Sequence, residues 1–201
     1  MPDVEGLTPS SGNEMVWIVP ILVWVAALLF AAIAVWRGPR PVTWGIVTDK
    51  LLRYLFFFPL GVQGLWAFVG HAIFPEESAA SIGWAPSPFQ VEVSVANLGL
   101  ALGSLYAAFS GFQARAAMAI AASCFLVGAG IGHINEMIED ANFAPGNAGP
   151  IMVTDFLTPI AILVLLLLQP QARKAFSGPR ISEQLARARA DLQKGIGAKG
   201  K

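Results

Sequence analysis

Met15–Trp36 reads MVWIVPILVWVAALLFAAIAVW and contains no ionisable side chain. A helix that crosses a bilayer needs about 20 mostly apolar residues, and this stretch supplies them. Four further runs of the same kind follow: Tyr54–Phe74, with its helix starting near Trp44, then Pro88–Phe112, Ala116–Ile138 and Pro150–Leu168. Of the 201 residues, 55% are hydrophobic and 13% charged, and the mean hydropathy is +0.61. Soluble domains carry about 25% charged residues. The composition therefore excludes a soluble globule, a disordered chain and a nucleic-acid binder. The single cysteine, Cys124, excludes an internal disulfide and a Cys-rich metal site.

The expected fold is all-α and polytopic, with five transmembrane helices. Spans two to five, residues 44–169, form a four-helix core, and residues 15–36 form a peripheral first helix. Residues 1–14 make an outer N-terminal segment, and residues 170–201 a cytoplasmic tail. In that tail Ile181, Leu185, Ala188 and Leu192 recur at helical spacing among Arg and Lys. That pattern predicts a short amphipathic helix, lying on the membrane surface or solvated.

Net charge is zero, with thirteen basic and thirteen acidic residues, but the signs are segregated. Arg37, Arg40, Lys50 and Arg53 lie between spans one and two, Arg115 between three and four, and the other eight bases after span five. All thirteen fall on one side. Residues 1–14 hold Asp3, Glu5 and Glu14 and no base, so the basic region of a signal peptide is missing and span one is expected to stay uncleaved. The positive-inside rule predicts the N-terminus outside and the C-terminus in the cytoplasm of a bacterial inner membrane.

Small residues let membrane helices approach one another. Span three offers Glu92, Ala96, Gly99, Gly103, Ala107 and Gly111, and span four offers Cys124, Gly128, Gly132 and Glu136. Both stripes are expected to face neighbouring helices. Span one lacks such a glycine stripe, and Trp17, Trp24 and Trp36 suit a lipid-facing helix. Ser87, Pro88 and Gln90 predict a capped start for span three. Asp49, with Lys50 and Arg53, reads as a solvated helix end. Ile82 and Trp84 suggest a loop dipping into the interface as a lid.

The unusual residues gather by depth. His71 closes span two, Glu92 opens span three, His133 and Glu136 close span four, and Asp155 opens span five. Because successive spans are antiparallel, all five fall at the outer end. Ionisable residues inside a membrane are costly and face a cavity or a partner. Gln63, Asn97 and Asn135 extend this polar cavity. Two imidazoles with carboxylates suit iron, manganese or zinc, so His71, Glu92, His133, Glu136 and Asp155 are candidate metal ligands. The single His-x-x-Glu pair only partly matches the paired Glu-x-x-His motifs of di-metal bundles. Pro159 has no N–H to give the Asp155 carbonyl, which leaves a polar spot beside that carboxylate.

The blocks GHAIFP (Gly70–Pro75), AASIGWAPSPFQVEVSVAN (Ala79–Asn97), GHINE (Gly132–Glu136) and GNAGPIMVTD (Gly146–Asp155) resemble an uncharacterised family of bacterial integral membrane proteins, a domain of unknown function. The resemblance spans residues 50–168 and implies no activity. In hydropathy and in one early glutamate, the core is also similar to DoxX-like four-helix membrane proteins, some of them subunits of a thiosulfate–quinone oxidoreductase.

Three roles fit these residues. One is a metal or redox site serving a quinone or another lipophilic small molecule. Another is a proton-coupled small-solute carrier, for which Asp155 is the residue to test. The third is a structural subunit of a larger membrane complex. Each leaves the bilayer as the first partner, with a homo-oligomer also open.

Overall fold

The computed structural model describes residues 11–170 together with Arg189 and Ala190. The chain divides into two compact units, Met1–Gln169 and Pro170–Lys201. The amphipathic tail stretch Ile181–Leu192 lies outside the described residues, apart from Arg189 and Ala190, which are helical and exposed.

The first unit is a helical bundle: α1 (Ser11–Trp36), α2 (Trp44–Ile73), α3 (Pro75–Ile82), α4 (Phe89–Ala108), α5 (Phe112–Glu139), α6 (Pro145–Ala148) and α7 (Pro150–Leu168). No strand occurs among the described residues. Five helices are long and apolar enough to span a bilayer, one of them running from Pro145 through α6 and α7 to Leu168. The chain is a multi-pass membrane protein. Successive spans place Arg37, Asp49, Arg53 and Arg115 at one end of the bundle, here the basic end, and the connecting segments 74–88 and 140–149, which include α3 and α6, at the other, the acidic end.

Pro59 explains the shape of α2. It has no N–H for the Leu55 carbonyl, and the helix widens into a π-helical stretch over Phe56–Val62 before tightening again at Gln63. This brings Gly61 so near α4 that a Cβ there would lie 2.5 Å from Leu105. At Gly64 a Cβ would lie 3.0 Å from Ala101. α2 and α4 are thus seated backbone against backbone, as small residues permit in lipid.

The apolar core sits toward the basic end. Leu52, Leu55, Phe56 and Leu60 of α2 meet Ala107 and Ala108 of α4, Ala119 and Ala122 of α5, and Ile162 and Leu166 of α7. The aromatic run Tyr54–Phe58 belongs to this packing. Phe30 of α1 lies over Phe58 at 5.2 Å and Tyr54 at 5.9 Å between ring centroids.

α1 turns Leu22, Val25 and Leu29 away from the bundle, while its Ala27 is buried in the apolar core with the other four spans. Its inward stripe is Val16, Pro20, Val23, Ala27 and Ala31, a run at i, i+4, i+7, i+11 and i+15 that needs no glycine. Trp17 and Trp36 are exposed as predicted, but Trp24 is not a lipid-facing residue. It packs on the core, and its Nε1–H donates to Thr158 Oγ1 of α7 at 3.2 Å.

The expected glycine stripes are also corrected. Glu92, Ala96 and Gly99 of α4 and Cys124 and Gly128 of α5 are exposed. A Cβ at Gly99, Gly128 or Gly132 would meet nothing within 4 Å. On α4 the deeper part of the predicted stripe does face a neighbour, with Gly103 at a close approach and Ala107 fully buried, while on α5 the close approach falls at Gly130 instead. A Cβ at Gly103 would press on Met118, and one at Gly130 would lie 2.6 Å from the Phe156 ring.

Arg115 closes the basic end. It is 3% exposed and lies in the first turn of α5, not in a loop. Its Nε and Nη2 donate to the Ala107 and Ala108 carbonyls at 3.1 and 2.9 Å, and its Nη1 reaches Asp49 Oδ1 at 2.8 Å. The guanidinium therefore serves carbonyls that end α4 with no intrahelical partner. Asp49, read from sequence as solvated, is half-buried and holds this arginine.

Two outcomes follow for stability in detergent. Arg115→Ala removes two hydrogen bonds from α4 carbonyls, of which Ala107 O keeps that from Ser110 N, and leaves Asp49 with Lys50 alone. It should cost about 1–3 kcal/mol, read as a lowered unfolding temperature. Gly130→Ala should cost about 1–3 kcal/mol through overpacking, while Gly128→Ala, two residues away, should be near neutral.

Candidate functional site

The acidic end is built around one amide. Pro145 starts the short α6, and the turn places Asn147 fully buried between α5 and α7. Its Nδ2 donates to two carbonyls, His133 O at 3.2 Å and Asn142 O at 2.8 Å. With both amide hydrogens spent, Oδ1 must be the atom facing His133 Nδ1, 2.7 Å away. His133 therefore carries its hydrogen on Nδ1, and Nε2 turns toward α7.

There Nε2 lies 3.7 Å from Asp155 Oδ2. That separation is inside ion-pair range and beyond a direct hydrogen bond. Asp155 is 4% exposed, and its carboxylate has no other ionic or hydrogen-bonding partner among the described residues. Two features set this geometry. Gly130, one turn before His133, admits the Phe156 ring and lets α5 and α7 close. Thr158, one turn after Asp155, is pinned by Trp24 of α1.

Asn142 forms the next layer. Its Nδ2 donates to Ile82 O at 2.9 Å and to Glu136 Oε2 at 3.1 Å, and its Oδ1 accepts from Ala144 N at 3.1 Å. It lies against Gly83, whose φ of 84° is left-handed and whose absent Cβ would stand 2.5 Å from Asn142 Oδ1. A side chain there would meet both objections, strain and overlap. A cleft of about 620 Å³ opens beside this layer, lined by Trp84, Ser87, Glu136, Asp140 and Asn142 among others. The stretch expected to be a lid loop is thus the helix α3, with Trp84 after it half-buried in the cleft wall.

The eight residues predicted for the site take different places. His133 and Asp155 come together. Glu136 stands one turn beyond His133 but faces Asn142 and the cleft. His71 is half-buried, and its Nδ1 pairs with Gln90 Oε1. Gln90 is 2% exposed, so this side chain ties α4 to α2; α4 has no side-chain cap. Glu92 is exposed on the outer face of α4, with no hydrogen bond or ion pair among the described residues. Asn97 donates to Val93 O of its own helix at 2.9 Å. Gln63 is half-buried with Oε1 unpartnered, and Asn135 is exposed.

The expected five-ligand metal set is therefore not assembled. Among the described residues no group of three His, Cys, Asp or Glu side chains is placed to hold a metal ion. The physical reason is rotation about the helix axes: Glu92 turns outward, His71 is occupied by Gln90, and Glu136 turns away from His133. What remains is a buried imidazole–carboxylate pair with an acidic cleft close by.

Asn147, Asn142 and Gln90 carry this site and were not predicted for it. Asn147 and Asn142 sit among Gly and Pro, where an asparagine reads as a turn former. Gln90 stands where a helix cap would.

The comparisons with known proteins add one match. A family model, described as a family of unknown function (DUF6790), matches residues 17–175. No curated protein and no solved structure matches the chain.

Asn147→Ala removes three hydrogen bonds at a fully buried position and should cost about 2–4 kcal/mol. Asn135→Ala, on the exposed face, should stay within about 0.5 kcal/mol. Hydrogen exchange of the 140–150 segment separates the two, with protection lost only in the first.

Proposed function

The chain belongs to DUF6790, a family of unknown function, and from that premise we propose that it couples proton exchange at His133 and Asp155 to binding of a small cationic solute in the cleft. The observation that carries this reading is the isolated buried pair. A carboxylate 4% exposed within a spanning helix faces one titratable partner, 3.7 Å away, among the described residues. Ionisable groups at such depth are expensive and mark functional sites.

The pair is electrically neutral in two forms. Either imidazolium faces carboxylate, or neutral imidazole faces carboxylic acid, and one proton crossing the gap interconverts them. Loss of a proton leaves a net negative charge. A cation held by Glu136 and Asp140 at the mouth of the cleft favours that negative form, since nearby opposite charge stabilises an ionised carboxylate. Cation binding would then release a proton. Asn142 and Asn147 hold the two sites in fixed register and carry no proton themselves. His133 keeps 10% of its side chain accessible, which gives the proton an exit. The acidic end would face the cell exterior, as the segregation of basic residues supports.

This reading takes up the carrier role and leaves aside the metal or redox role, which would require ligands converging on one point.

Choline added to purified protein in lightly buffered detergent should release protons, read with a pH dye. Asp155→Asn should abolish that release, and Glu136→Gln should weaken the choline dependence. Release of the same size from Asp155→Asn, or none from wild type, would overturn the proposal.

A further inference from the structure

A second concavity lies at the opposite end of the bundle, between α1 and α2. It holds about 460 Å³ and is walled by Leu28, Ala32, Val47 and Leu51, with Trp36 and Arg40 among its lining residues. Arg40 is the single charged side chain lining it. Arg40 Nη2 donates to the Trp36 carbonyl at 3.0 Å, so its guanidinium is held beside the groove. Neither Arg40 nor Arg37 forms an ion pair among the described residues. Trp36 is 70% exposed, the disposition of an indole at headgroup level.

We infer that this groove binds one anionic phospholipid, an acyl chain against the apolar wall and the phosphate on Arg40. Three features on α1 and α2 favour a lipid over any other occupant. Leu22, Val25 and Leu29 on the same spanning helix are exposed apolar side chains, so the apolar wall of the groove belongs to a surface turned to lipid. Its lining combines an apolar wall with one cation, which matches a chain plus a phosphate. The cation stands at the end where the spanning helix gives way to the Arg37–Pro41 loop, the depth at which phosphates lie. Basic pockets between spanning helices recognise anionic headgroups in this manner. The site is separate from the His133–Asp155 pair and does not depend on its role.

The test uses the full chain purified from mixed micelles of equal phosphatidylglycerol and phosphatidylcholine, with retained lipid measured by native mass spectrometry. Phosphatidylglycerol should be retained in preference to phosphatidylcholine. Arg40→Gln, at an exposed position that leaves the fold intact, should lower phosphatidylglycerol retention about fivefold. Ala32→Phe, which fills the groove and keeps the charge, should lower it as well. Equal retention of the two lipids by wild type, or unchanged retention in either variant, would overturn the assignment. So would a dimer of this chain that forms without lipid and is blocked by Ala32→Phe.

Discussion

The hydrocarbon around a membrane-spanning bundle offers no hydrogen bonds, so a polar group buried there is costly unless it finds its partner within the protein. That constraint organises both ends of this molecule. At the basic end Arg115 gives two hydrogen bonds to α4 carbonyls and one to Asp49, which joins α2, α4 and α5 through one guanidinium. At the acidic end Asn147 spends both donors and its acceptor on α5 and the preceding loop. Next to Arg115 lies an apolar core with few polar demands, where Ala, Leu, Ile and Phe of all five spans meet.

The two ends differ in what is left over. Arg115 is matched by the acceptors around it, and Asp49 keeps partial access to water. At the acidic end, Asn147 satisfies one nitrogen of His133 and leaves the other facing Asp155 across a gap wider than a hydrogen bond. A fold that needed only to fill space would close that gap or replace the pair with apolar residues, since a buried ion pair seldom adds net stability. The incomplete contact, next to an acidic cleft, is what makes this end a candidate for chemistry and the other end a clamp.

How much of this was legible varies by residue. The depth of His133 and Asp155 could be read from hydropathy, because charged residues interrupt apolar runs at definite positions. Their meeting could not, since it depends on Gly130 admitting Phe156 and on Asn147 fixing the ring. The glycines show why. In a soluble helix the buried face is apolar and the exposed face polar, so periodicity gives direction. In lipid both faces are apolar, and Gly128, Gly130 and Gly132 offer inward and outward readings of equal merit. The structure turns Gly130 inward and Gly128 outward on α5, where Glu136 faces Asn142, and on α4 it turns Glu92 outward together with Gly99, so both carboxylates leave the predicted ligand set.

By itself the sequence determined the number of spans, the segregation of charge to opposite ends, and the level at which the histidines and carboxylates gather. Each of these follows from the length and polarity of consecutive residues, which one helix settles alone. Only the tertiary structure decided which residues meet: Trp24 with Thr158, His71 with Gln90, Arg115 with Asp49, and His133 with Asn147 and Asp155. Those pairings depend on how helices rotate and approach, and the forces that set them act between small side chains and single hydrogen bonds far apart in the chain.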